Sequence, residues 1–177
     1  MNLKEGDTQL IIKECEDRNL TVEQAAYVLA TAKWETNHTM KPVREAYWLS
    51  EEWRKNNLRY YPYYGRGYVQ LTWLDNYKKA TDKLGYDLVN NADDALLPQY
   101  AVPILVLGML EGWFTGKKLS DYIGVGKTDY VEARRIINGV DKKYEIASIA
   151  SEYEEALRPE YGKNNLFWKF IKGFFSW

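Results

Sequence analysis

The segment 98–112 is apolar on nearly every side of a helix, and it limits the fold more than any other stretch of the chain. Its longest apolar run, 101–110, is broken by Pro103 and Gly108 and is too short to span a bilayer. Such a helix must be covered by other elements, so the chain is expected to wrap it within one domain. The length of 177 residues is enough to bury that core without staples. Cys15 is the only cysteine, so no intrachain disulfide is available. With His38 the only histidine, the chain lacks a His/Cys ligand set for zinc, and neither metal nor cofactor is expected.

Periodicity fills in the rest. Thr21 followed by Gln24 has the form of a capping box, after which Ala25, Val28, Leu29 and Ala32 recur at helical spacing, which predicts a helix over 22–35. An earlier helix is predicted over 3–18, with Leu10, Ile11 and Cys15 on one face and Asn19 ending it. Further helices are expected at 76–84 with Gly85 as terminator, 98–112, 129–137 and 142–157. Between 41 and 62 the periodicity fails, as in a long loop with a helical turn. Val69, Leu71 and Trp73 alternate with Tyr68, Gln70 and Thr72, which predicts a short strand over 67–73.

The tail differs. Residues 162–177 hold Lys163, Lys169 and Lys172, no acid, and eight large apolar or aromatic side chains, the pattern of a cationic amphipathic helix. It is read as a segment that contacts bacterial envelope lipid, the alternative being a helix docked on the domain with its lysines in water. The expected organisation is therefore one catalytic domain over 1–161 followed by this tail. Lys and Arg number 24 against 25 Asp and Glu, so no global basic field exists to hold nucleic acid. The amino terminus lacks the apolar stretch of a signal peptide, and synthesis in the cytoplasm without classical secretion is the expectation.

Two carboxylates stand out. Glu35 lies seven residues after Val28 and three after Ala32, so it extends the apolar stripe of its helix. Partial burial and the negative end of the helix dipole both disfavour its ionised form there, as a general acid requires. An outward turn of Glu35 at the helix end is the other reading. Glu45 follows Arg44 in the irregular segment, where a side chain can be aimed across a cleft. Carboxyl groups in unlike surroundings are what glycoside hydrolysis uses, although a solvated Arg–Glu neighbour is equally compatible with the residues alone. Five tyrosines lie between Tyr60 and Tyr68, beside Gly65 and Gly67, and make a candidate saccharide platform, some of whose rings core packing can absorb.

The run Tyr63-Tyr64-Gly65-Arg66-Gly67-Tyr68-Val69-Gln70-Leu71-Thr72-Trp73, followed by Asn76-Tyr77, resembles the signature of the chitinase-like family 19 glycoside hydrolases, in particular their small phage endolysins (lysozyme or muramidase type). Ala32-Lys-Trp-Glu35-Thr, Pro42-Val-Arg-Glu45-Ala, Gly116 after Trp113-Phe114-Thr115, and Ala133-Arg-Arg-Ile-Ile-Asn138-Gly139 follow the same pattern in order. Two departures are visible: Trp34 stands where members often have His before the first Glu, and Asn37-His38 stand where Gly-Gly often follows.

The resemblance implies a mainly α, lysozyme-like domain with a small β-hairpin lining a substrate cleft, and an inverting mechanism without a metal. It implies Glu35 as general acid, Glu45 as general base and Thr72 as a hydroxyl that helps hold the water. Tyr64, Arg66, Gln70, Asn76 and Asn138 are implied as substrate-binding positions, Arg66 through orienting the acidic pair or through structure alone. The expected activity is a peptidoglycan hydrolase that cleaves the β-1,4 bond between N-acetylmuramic acid and N-acetylglucosamine, as a monomer acting on glycan strands. It would be held in the host cytoplasm until lysis and then reach the periplasm and cell wall. A chitinase on N-acetylglucosamine polymers, or a noncatalytic wall-binding module, are the alternatives.

Overall fold

The computed structural model describes residues 1–162, so the expected tail helix lies outside the described residues. Among the described residues seven α-helices follow one another: α1 Thr8–Asp17, α2 Val22–Glu35, α3 Glu51–Asn57, α4 Leu74–Leu84, α5 Pro98–Glu111, α6 Leu119–Tyr122 and α7 Lys143–Leu157. Of two short 3-10 turns, Ala92–Leu96 precedes α5 and Glu132–Ile136 precedes α7. Strands β1 Val43–Arg44 and β2 Arg66–Gly67 pair antiparallel, and β3 Ile123–Gly124 pairs with β4 Lys127–Thr128. The fold is mainly α with two small antiparallel sheets, as a lysozyme-like chain requires.

The apolar helix α5 is the hub. It buries Ala101, Val102 and Ile104 through Met109, and meets α1, α2, α4, α6, β2 and the Ala92–Leu96 turn. Pro98 opens it, where a missing N–H is harmless, and Gly112 at φ 75 closes it with its amide on the Gly108 carbonyl. Helix α2 has the predicted bounds because its capping box forms: the Thr21 hydroxyl accepts from the Gln24 amide, and Gln24 Oε1 accepts from the Thr21 amide. A cap of this kind contributes about 1 kcal/mol. The long buried face from Ala25 to Ala32 then packs chiefly against α7.

Several expectations change, each for a local reason. Helix α1 begins at Thr8 rather than at residue 3, because Gly6 at φ 49 turns the chain so that the Asp7 amide reaches the Met40 carbonyl at 2.9 Å. A Cβ on Gly6 would stand 2.5 Å from that carbonyl oxygen, so only glycine fits. The buried face of α1 is Thr8, Ile11 and Cys15, whereas Leu10 is 49% exposed. The predicted strand over 67–73 is a tight turn instead. Gly67 at φ 90, Gln70 at φ 54 and Trp73 at φ 74 break the extended alternation, and Arg66 and Leu71 bridge across it. The helix expected over 129–137 is a 3-10 turn of five residues, and the β3–β4 pair was not foreseen. The irregular segment 41–62 contains both β1 and α3.

Among the described residues no helix is long and apolar enough to cross a membrane. Gly108 lies tightly against Phe114, because a Cβ there would stand 2.2 Å from the ring. Gly108→Ala should gain about 1 kcal/mol of helix propensity yet lose about 1–3 kcal/mol to overpacking. Urea unfolding is expected to show a net loss of stability, and a raised midpoint would show that the ring yields freely.

Candidate active site

Glu35 is the last residue of α2, and the chain leaves it through left-handed residues Asn37, His38 and Met40. Thr36 braces this exit, its hydroxyl donating to the Ala32 carbonyl at 2.7 Å and accepting from the Met40 amide at 3.0 Å. The Glu35 side chain is 21% exposed, neither enclosed nor turned out into water. Arg134, itself 4% exposed, donates from Nη1 to Glu35 Oε1 at 2.5 Å and from Nε to the Asp141 carbonyl at 3.1 Å. A fixed cation therefore stands against Glu35, a partner that the apolar stripe cannot reveal.

The turn Glu132–Ile136 that carries Arg134 is itself pinned. Thr115 donates to the carbonyls of Arg135 and Ile136, and Glu132 pairs with Arg135 at 2.7 Å and Lys143 at 2.8 Å. These two cations, Lys143 foremost, hold the Glu132 carboxyl down at about 2.

Glu45 is held from the other direction. It directly follows β1, and its amide donates to the Gly65 carbonyl at 2.8 Å, extending the β1–β2 pairing by one step. The Gly65 amide donates to Oε2 at 2.8 Å and the Tyr60 hydroxyl to Oε1 at 2.6 Å, so both carboxylate oxygens are gripped. The Tyr60 hydroxyl is correspondingly pushed up to about 12, mainly by this bond. Its ring leans edge-on against Trp73, over which Arg59 lies at 4.9 Å.

Glu35 shares with Val43 and Arg44 of β1 an open groove of about 520 Å³, whose wall also includes Tyr47 and Leu96. The strand therefore runs from one acid's groove directly to the other acid. Arg44 bridges Asp93 at 3.1 Å and Glu51 at 3.5 Å, tying β1 to the Ala92–Leu96 turn and to α3. A second depression, about 570 Å³, lies between α1 and the end of α7 and contains neither acid.

The other expected site residues divide. Gln70 donates to the Val43 carbonyl at 3.1 Å, Thr72 to the Gln70 carbonyl at 2.7 Å, and Asn76 to the Thr72 carbonyl at 2.8 Å. This chain of bonds fixes the 67–73 turn against β1, and the donor of Thr72 being spent, its lone pairs are what a water would meet. Asn138 is exposed, its Oδ1 accepting from the Gly139 amide. Tyr64 and Arg66 are interior. Tyr64 is 0% exposed, with the Arg66 guanidinium 3.7 Å from its ring centroid and its hydroxyl donating to Glu51. Arg66, 3% exposed, pairs with Asp93 at 2.7 Å and donates to the Pro62 and Tyr64 carbonyls, so these donors serve the surrounding loop.

The tyrosine platform is likewise largely internal. Tyr64 and Tyr68 are enclosed, Tyr61 stacks on Tyr64, and Tyr63 lies against Tyr77. Sequence reasoning assigned no role to Arg134 or to the Tyr60 hydroxyl. Arg134 stood within the quoted Ala-Arg-Arg run, but no local rule pairs it with a residue 99 positions away. Among the described residues no cluster of three His, Cys, Asp or Glu forms a metal site.

A stretch of 32 residues, 18% of this chain, is 66% identical to a protein of Oryza sativa subsp. japonica named Chitinase 11. A 32-residue stretch is also 59% identical to Chitinase 8 of the same plant. Each match covers 12% of the relative's length. No family model and no solved structure matches the chain. The chain is thus chitinase-like over a short stretch.

The Glu132 cluster gives a pH test of the turn that presents Arg134. A carboxylate lowered on folding contributes stability above its unfolded value of about 4.3, and that contribution disappears as pH falls toward about 2. Glu132→Gln should therefore lose stability relative to wild type at pH 6 and converge with it near pH 2. Melting temperatures across that range check this, and a constant offset would refute the ion-pair origin.

Proposed function

We propose that this chain is a glycoside hydrolase that cleaves β-1,4 bonds between N-acetylmuramic acid and N-acetylglucosamine in peptidoglycan glycan strands. The observation that carries the reading is the contrast between two carboxylates, one on the groove that β1 lines and one directly after β1. Glu35 borders an open groove with one oxygen anchored on Arg134, while Glu45 has both oxygens held by Tyr60 and Gly65.

In this reading Glu35 is the general acid. Arg134 fixes Oε1 and so orients the carboxyl, and Oε2 delivers the proton to the leaving glycosidic oxygen. Glu45 is the general base that takes a proton from water, its two fixed donors setting the direction of the remaining lone pairs. Thr72 accepts a hydrogen bond from that water. Inversion follows if the water attacks from the face opposite the leaving group, an arrangement with carboxyls roughly 6.5–9.5 Å apart. Gln70, Asn76 and Asn138 bind the N-acetylated sugars around the bond, as the sequence resemblance implies.

The enzyme would meet its substrate at the cell wall as a monomer, the lysines and aromatic residues of the 162–177 segment touching anionic envelope lipid. A second reading is chitin as substrate, favoured by the short similarity to the rice chitinases. Both polymers contain N-acetylglucosamine in β-1,4 linkage, so one cleft serves either.

Mass spectrometry of fragments released from purified peptidoglycan and from chitohexaose separates the two substrates, and proton NMR of the first product gives its anomeric form. Muropeptides with a reducing N-acetylmuramic acid and an α anomer are expected from wild type. Glu35→Gln should slow release by about 10²–10⁴. Chitohexaose cleavage alone would move the assignment to chitinase, and no cleavage of either would leave a noncatalytic wall-binding module.

Tyr60→Phe removes one of the two donors to Glu45 while keeping the ring against Trp73. A lost hydrogen bond to a charged group corresponds to about tenfold or somewhat more in kcat. Steady-state kinetics on the better of the two substrates should show this, and an unchanged kcat would remove Glu45 or its orientation from the mechanism.

A further inference from the structure

Tyr47 and Trp48 are 66% and 72% exposed, and the chemistry at Glu35 and Glu45 does not use them. Their rings meet edge-on with centroids 5.2 Å apart, leaving ring faces in water. A loose loop would fold such rings back onto the surface to bury their apolar area. This one is prevented from doing so.

The Leu49 amide donates to the Ala46 carbonyl at 2.9 Å and closes a four-residue turn with Tyr47 and Trp48 at its two central positions. Ala46 sits at φ 48, a left-handed conformation that a β-carbon disfavours. Beneath the turn, Arg54 of α3 is 5% exposed, and its Nη1 donates to the carbonyls of both Ala46 and Leu49 at 2.8 Å. Its Nε is fixed by Glu51 at 2.9 Å, and Tyr64 lies 5.4 Å from its guanidinium. A buried cation, itself anchored, thus grips both ends of the turn. Burying a guanidinium is unfavourable unless its donors are satisfied, and here two of the acceptors are the ends of the turn that displays the rings.

The display has a direction. Tyr47 forms part of the wall of the groove that Glu35 and Arg44 also line, and Trp48 meets the Tyr47 ring beside that wall. The exposed pair is two rings, and the charged Lys41 and Arg44 share the groove wall with Tyr47. That is too small and too charged at its margin for a protein interface or a membrane surface. It suits the apolar face of a pyranose, whose hydroxyl and acetamido edges reach the charged rim.

From this we infer that Tyr47 and Trp48 form a sugar-stacking subsite at the outer end of the groove, occupied by a β-linked N-acetylhexosamine one or more units beyond the cleaved bond. The inference rests on the reading of the groove as a glycan cleft. It adds to that reading the dependence on chain length: longer oligomers reach the ring pair and shorter ones do not.

Calorimetric titration of the Glu35→Gln protein with chitotriose and chitohexaose provides the test, because this variant does not consume the ligand. Adding Trp48→Ala should weaken hexamer binding about tenfold and lower the hexamer-to-trimer affinity ratio. Arg54→Met, which keeps both rings and frees the turn, should lower the same ratio, provided circular dichroism shows the fold retained. Hydrolysis by wild-type protein is measured alongside. If wild type cleaves glycans and the Trp48→Ala ratio equals that of its parent, the subsite is wrong and the hydrolase reading stands. If no glycan is cleaved but hexamer binding depends on Trp48, the subsite stands and the hydrolase reading fails. Absence of binding overturns the subsite, as does self-association that Trp48→Ala abolishes without changing sugar affinity.

Discussion

The buried guanidinium of Arg66 is the point around which the irregular half of this molecule is assembled. It pairs with Asp93 and donates to the carbonyls of Pro62 and Tyr64 and to the Tyr77 hydroxyl, which in turn donates to the Tyr64 carbonyl. One side chain thereby joins β2, the tyrosine-rich loop, α4 and the Ala92–Leu96 turn. None of these loops can satisfy its backbone carbonyls by helix formation, and burial without partners would be unfavourable by roughly 1–3 kcal/mol per group. Arg66 supplies the donors, and its own charge is met by Asp93 and by the face of Tyr64.

The same solution recurs twice. Arg54 holds the turn that carries Tyr47 and Trp48, and Arg134 holds the end of α2 through Glu35. Arginine suits this work because its planar fork offers several donors in fixed directions. The irregular loops are therefore tied down by side chains where they have no regular secondary structure. The two carboxylates inherit that rigidity in different ways: Glu35 stands on a helix end facing a cation, whereas Glu45 is locked to a loop by one amide and one phenol. Two acids of the same type are given unlike surroundings, which is the physical basis for assigning them unlike tasks.

The short likeness to plant chitinases hints at glycan chemistry without distinguishing chitin from peptidoglycan. The distinction lies in what flanks N-acetylglucosamine, a lactyl-bearing sugar in one polymer and the same sugar in the other. Lys41 and Arg44 line the groove together with Tyr47.

What the sequence by itself determined were the elements whose bonds are local. The capping box at Thr21, the terminator Gly85 and the apolar circumference of α5 are set by residues within a turn or two of one another, so spacing alone locates those helices. It also singled out Glu35 at the end of its stripe and Glu45 in the segment beside β2. The tertiary structure alone decided what surrounds them. Arg134 reaches Glu35 across 99 positions, and Gly65 reaches Glu45 across 20. The alternation at 67–73 read as a strand because period two is also what a turn of left-handed residues can carry in sequence, and only the backbone angles separate the two. Likewise the tyrosines of 60–68 and the pair Tyr47–Trp48 are chemically alike. Which rings are buried and which face water depends on where α3 and the Arg54 side chain lie, a matter of long-range packing that no local pattern encodes.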